Sequence, residues 1–167
     1  MKKTVYDFVT KIKEMNYGEE PQKHTLLMCG HIDGRYFVIL NNRGKFPTAY
    51  VEAKLEDPRI NKPFGVTDWK DVKAPLLEIS YGPESLLPIL EDLENFTPDI
   101  LMKKYWGWAY FGSNDCLALT TPWGLDMDQG KKHSVNEILI EDVIPFILWI
   151  NARAADRKKR KRRSSKK

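Results

Sequence analysis

The sequence predicts an α+β domain: an antiparallel sheet, made of an N-terminal meander plus later strands, packed against about three helices. Three observations predict it. Glycine-containing turns separate short runs rich in β-branched and aromatic residues between positions 26 and 53. Apolar residues recur at helical spacing in other stretches. The chain has 167 residues, 42% hydrophobic and 11% aromatic, enough for one domain with a real core and little room for a second.

Each element follows in order. Thr4 can cap a first helix with Asp7 near the positive end of its dipole, and Val5, Phe8, Val9 and Ile12 make one apolar stripe. Tyr17-Gly18 ends it. Residues 26–29 read as a strand, Asp33-Gly34 as a turn, and 36–40 as the returning strand of a hairpin. Asn41-Asn42-Arg43-Gly44 turns the chain into a third strand at 48–53. Residues 55–73, with two prolines, a glycine and many charges, read as a long surface loop. Leu76 to Tyr81 reads as a short strand closed by Gly82-Pro83. Ser85 opens a second helix, with Leu86, Ile89, Leu90, Leu93 and Phe96 on one face and Pro88 tolerated near its start. Tyr105 to Phe111 is aromatic and strand-like, and 116–120 reads as a further strand. Ser134-Val135-Asn136-Glu137 has the form of a capping box. The apolar run Ile138 to Ile150 then predicts a buried C-terminal helix that Pro145 should kink or break.

Charge divides the chain at about residue 152. From Arg153 to Lys167 there are ten Lys and Arg against Asp156 alone, a net charge of +9. Residues 1–152 hold seventeen cations and twenty-two acids, a net charge of −5. The expected organisation is therefore a globular domain over 1–152 and a basic, disordered tail over 153–167. The seven adjacent cations Arg157, Lys158, Lys159, Arg160, Lys161, Arg162 and Arg163 repel one another and bury no apolar surface, so they are either disordered or a frayed continuation of the last helix. With Lys166 and Lys167 they suit phosphate-backbone contact, where counterion release gives affinity without sequence choice. A nuclear-localisation signal, or a tail that only solubilises, are the other readings.

Cysteine usage is sparse, with Cys29 and Cys116 alone, and no apolar run approaches the roughly 20 residues of a membrane-spanning helix. The expectation is a protein of the cytoplasm, without a signal peptide, a membrane partner, a metal or a cofactor.

Several constellations bear on chemistry. Trp106, Trp108 and Tyr110 alternate and share one strand face; exposed, the tryptophans would bind a partner or stack bases, and buried they are core. Trp69, in the 55–73 loop, could anchor an interface or fold back over the core. Cys29, His31 and Asp33 also alternate, but neighbours on one strand face stand ~6.6 Å apart, a poor spacing for a nucleophile–base relay. Asp115, Asp126, Asp128 and His133 could line a pocket rim, although their spacing matches no metal loop. No glycine-rich phosphate loop and no nucleophile elbow is present, and no catalytic residue is assigned.

Four segments, in order over about 44–142, together resemble a family of small, uncharacterised proteins of bacteriophages and prophages. Gly44-Lys45-Phe46-Pro47-Thr48-Ala49-Tyr50-Val51 resembles its Gly-His-Pro-Thr-Ala-Tyr-Val segment. The second half of residues 76–82 resembles its Leu-Thr-Tyr-Ser. Residues 106–115 resemble its Gly-Trp-Asp-Tyr-Ala-His-Ala-Gly-Asp, and residues 131–138 its Lys-Trp-Thr-Thr-Glu-Glu-Ile helix start. The resemblance implies a phage context. Its His and Asp positions are Phe46, Leu76, Ala109 and Gly112 here, with only Asp115 ionisable, so any polar pocket of the family is depleted in this chain.

Two functions remain open at this level. One is a non-enzymatic phage-type accessory protein that binds a host or viral macromolecule, its tail contacting nucleic acid or another polyanion, in host cytoplasm or nucleoid. The alternative is an enzyme or small-ligand binder with a pocket near Asp115 and the Tyr105–Phe111 strand.

Overall fold

A computed structural model describes residues 5–16, 23–44, 46–57, 81–90, 96–110 and 134–165, with backbone alone for 81–82 and 156–165. Six strands form one antiparallel sheet: β1 (Tyr6–Lys11), β2 (Thr25–Ile32), β3 (Arg35–Asn42), β4 (Phe46–Glu52), β5 (Tyr81–Ser85) and β6 (Lys104–Ala109). Their spatial order is β1-β2-β3-β4-β6-β5. The helices are a single turn, α1 (Pro98–Leu101), and one long run. That run comprises α2 (Val135–Ile138), a π-helical turn at Leu139–Val143 and α3 (Ile144–Ser165). The mixed α+β class is as expected, but two helical bodies, not about three, are present among the described residues.

The β2–β4 meander follows from its turns. Asp33 and Gly34 have φ of 46° and 82°, and Arg43 and Gly44 have 55° and 80°. Positive φ at both central residues matches the right-handed twist of the flanking strands, so the first hairpin closes in two residues. At the second turn the Asn41 side-chain oxygen accepts from Gly44 N at 2.6 Å. Alternation then separates two faces. Phe37, Ile39, Ala49, Val51, Trp106 and Trp108 point to the long helix, which answers with Val135, Ile138, Val143, Phe146, Ile147 and Ile150. Val38, Leu40, Tyr50 and Tyr105 point the other way, onto Leu86, Phe96 and Ile100. Strands β2, β3, β4 and β6 are thus covered on both faces.

The first helix expected from the sequence is instead strand β1. Its stripe of Val5, Phe8, Val9 and Ile12 has helical spacing, but six of the eight residues 5–12 are β-branched or aromatic. At the sheet edge such a segment gains a ladder with β2, anchored by Asp33 N to Val5 O and Ile12 N to Leu27 O, both 2.7 Å. Neither hydrophobic cluster of the described residues includes the stripe, and Val5, Tyr6, Phe8, Val9 and Ile12 all stay exposed. Gly30 lets β1 approach: a Cβ there would lie 2.5 Å from Phe8 O and 2.6 Å from the Phe37 ring.

The second expected helix is corrected too. Ser85 closes β5 rather than opening a helix, and residues 86–90 make one turn through Ile89 N and Leu90 N to Leu86 O. Pro83 explains the shift: it cannot donate to a ladder, and an edge strand with an irregular register between Tyr81 and Glu84 needs no such bond. Leu86, Ile89, Leu90 and Phe96 still reach the second core. The strand expected over Leu76 to Tyr81 and closed by Gly82-Pro83 is corrected where it is described, since Tyr81 opens β5 and Gly82-Pro83 lie within it. Its residues 76–80, Leu93 and the strand expected at 116–120 lie outside the described residues.

Pro145 does not break the C-terminal helix. It lacks an N–H and crowds the carbonyl four residues back, and the turn before it, Leu139–Val143, widens to π geometry. The helix is also one-sided rather than buried all round, because Ile140 and Leu148 are exposed.

Candidate functional site

Arg35 lies in phase with Phe37 and Ile39 on β3, so strand alternation carries a guanidinium into the core face. Its side chain is 1% exposed and that of Asp57 is fully buried. Arg35 Nη1 donates to Asp57 Oδ2 at 2.8 Å and to Glu52 O at 2.7 Å, while Nη2 donates to Asp57 Oδ1. The same carboxylate accepts from Lys54 N at 2.8 Å and from Trp106 Nε1 at 2.9 Å. Arg35 Nε donates to Asn151 Oδ1 at 2.6 Å, and Asn151 Nδ2 donates to Asp33 O at 3.0 Å. All three guanidinium nitrogens are bonded, which a buried charge requires. The knot joins the Asp33-Gly34 turn, the end of β4, β6 and the middle of α3. It also corrects the surface-loop reading of residues 55–73 at Asp57.

A second polar chain fixes the start of the long helix. Trp108 Nε1 donates to the Tyr110 hydroxyl at 2.8 Å, and that hydroxyl donates to Asp142 Oδ2 in the π turn. Ser134 caps α2, its Oγ accepting from Glu137 N at 3.2 Å, as the sequence predicts. Glu14 Oε2 accepts from Val135 N at 3.1 Å. The hydrogen bond from Lys11, and then that from Val135 N–H, hold the Glu14 carboxyl below its usual range.

The tryptophans expected as partner-binding candidates are corrected: Trp106 is fully buried and Trp108 is 3% exposed. They share one face with Tyr110, but that face is covered by the long helix. The Cys29, His31 and Asp33 series makes no relay. Cys29 is buried among apolar groups, which pushes its thiol up and keeps it protonated. His31 Nδ1 bonds Asp7 Oδ2 from β1, with Tyr36 edge-on at 4.5 Å. Asp33 Oδ1 accepts from Val5 N. Tyr105 is also unavailable for proton chemistry: burial first, and then the Glu52 charge, drive its hydroxyl far up, and it donates to Ile100 O at 2.8 Å. Among the described residues no group of three or more His, Cys, Asp and Glu could hold a metal ion. Trp69, Asp115, Asp126, Asp128, His133, Lys166 and Lys167 lie outside the described residues.

The basic segment is carried on α3. Phe146, Ile147 and Ile150 are fully buried, and Asn151 is tied into the Arg35 knot. Beyond it Ala152, Arg153 and Ala155 are exposed, with the Arg153 guanidinium 5.7 Å from the centre of the Trp149 ring. The helical backbone continues through Ser165, so Arg157 to Arg163 sit on the same helix that packs against the sheet.

Sequence reasoning singled out the cations but missed Arg35, Asp57, Asn151 and Asp7. A signal existed for two of them. Alternation puts Arg35 with Phe37 and Ile39, and helical spacing puts Asn151 four residues from Ile147. Comparison with known proteins finds no family model, no curated protein and no solved structure that matches the chain. No helix among the described residues is long and apolar enough to cross a membrane.

Proposed function

We propose that the chain is a non-enzymatic binding protein whose basic helical arm holds polyanions, nucleic acid foremost. The observation that carries this reading is the continuity of α3, which is locked to the sheet at Asn151 in its first half and bears the cations in its second. The body is net acidic, so a polyanion approaches the arm rather than the sheet. The resemblance of residues 44–142 to phage and prophage proteins is the ground for proposing an accessory role, with a host or viral macromolecule as partner in host cytoplasm or nucleoid. The alternative, a pocket near Asp115 and the Tyr105–Phe111 strand, has its rim residues Asp115, Asp126, Asp128 and His133 outside those described.

The test is a titration of nucleic acid at several salt concentrations, with the full chain and with a chain ending at Ala152. The full chain should lose affinity with slope about −0.7 to −0.9 per phosphate contact in a plot of log K against log salt. The shortened chain should bind weakly with a flat slope. Equal, salt-insensitive binding by both chains would rule the proposal out.

A further inference from the structure

We infer that the arm of α3 seats in the major groove of a B-form DNA duplex. The inference rests on the polyanion reading and narrows its partner. At 3.6 residues per turn, the seven consecutive cations 157–163 span nearly two turns, so basic positions surround the helix axis. A flat anionic surface meets one side of a helix and leaves the opposite cations unmatched. A groove has phosphates on both walls.

Composition separates the remaining polyanions. A helix lying on a membrane needs an apolar face, and residues 156–167 contain no apolar residue. Sequence-tolerant single-strand binding relies on aromatic platforms, and Trp149, the last aromatic residue, packs beside Phe146 at 5.9 Å between centroids. Duplex binding needs neither feature. The B-form major groove, about 12 Å wide, admits a helix about 10–12 Å across, whereas the A-form major groove is deep and narrow. Lys and Arg all round the helix bond phosphates whatever the bases, so binding is independent of sequence. The Asn151 anchor holds the helix to the body, and the acidic body keeps its distance from the duplex.

The experiment measures binding of the full chain to a mixed-sequence DNA duplex, an RNA duplex of the same sequence, an unpaired oligothymidine and phosphatidylserine vesicles at one salt concentration. DNA duplex should bind about tenfold or more tighter than the other three. Asp156→Pro breaks the helix while raising the net charge by one, and should still weaken duplex binding about tenfold, because a disordered arm must be ordered on binding. Asp156→Ala, which makes the same charge change and keeps the helix, should bind at least as tightly as wild type, and the milder Asp156→Gly should weaken binding less than Pro. Thermal melting of each variant reports whether the body is intact. Equal affinity for all four probes, unchanged by Asp156→Pro but lost on removing 153–167, overturns groove seating and leaves the polyanion reading standing. Preference for RNA or for vesicles also overturns it. Binding to none of the probes overturns both readings.

Discussion

Arg35 and Asp57 meet inside the protein as a two-pronged ion pair, and their remaining hydrogen-bonding capacity is spent on Glu52, Lys54, Trp106 and Asn151. Separated by twenty-two positions in sequence, they close the end of the sheet to which α3 is fastened.

Removing one partner leaves a buried charge without its counterion, which costs far more than the pair itself contributes. Asp57→Ala should lower the free energy of unfolding by about 3–5 kcal/mol in urea titrations followed by tryptophan fluorescence. The double variant Arg35→Met with Asp57→Leu should recover most of that loss. Asn151→Ala should cost about 1–3 kcal/mol, since Arg35 Nε and Asp33 O both lose a bond. A loss below about 1 kcal/mol for Asp57→Ala would show that water replaces the carboxylate.

Gly30 supplies a second prediction. A methyl group there would meet backbone as well as a ring, and the Phe8 carbonyl cannot turn aside as a flexible side chain can. Gly30→Ala should detach β1 while leaving the β2–β4 meander paired. Hydrogen exchange should show lost protection at Ile12 and Asp33, whose amides bond across β1 and β2, with Phe37 to Leu40 unchanged. Full protection at Ile12 in the variant would contradict the close approach.

The third prediction concerns pH. The Glu14 carboxyl is held low in the folded state, so its contribution is present above the ordinary value of 4.5 and is lost as pH falls through the folded value. The group is largely exposed and solvent screens the Lys11 pair, so the effect is a fraction of a kcal/mol. Glu14→Gln should therefore be slightly less stable than wild type at neutral pH and indistinguishable at the acid end. A constant difference across that range would show that the bond to Val135 N, not the charge, carries the effect.

The legible parts of this fold are those where local chemistry and tertiary packing agree. The β2–β4 meander was readable from Asp33-Gly34, Arg43-Gly44 and strict alternation, and the start of α2 from Ser134 and Glu137. β1 was not, because Val5, Phe8, Val9 and Ile12 fit a helical face and only the vacant ladder of β2 decides for a strand. Ser85 misled for a related reason: the apolar residues after it do reach the core, but through a single turn. Asp57 was invisible because no periodicity of its charged, proline-containing segment marks it for burial; its burial is dictated by a guanidinium from β3. The cations of the arm were legible as charge, and their helical carriage was left open because propensity alone does not choose between a frayed and a formed helix under such repulsion.

The π turn at Leu139–Val143 also sets the phase of everything beyond it. A π turn takes more residues than an α turn, so the helix after it is rotated relative to the helix before it. The compass bearing of Asn151, and of each residue downstream, is thereby reset relative to Val135. Restoring ordinary winding by deleting one residue from that turn would swing the arm about its own axis by roughly 100° and point Asn151 away from Arg35.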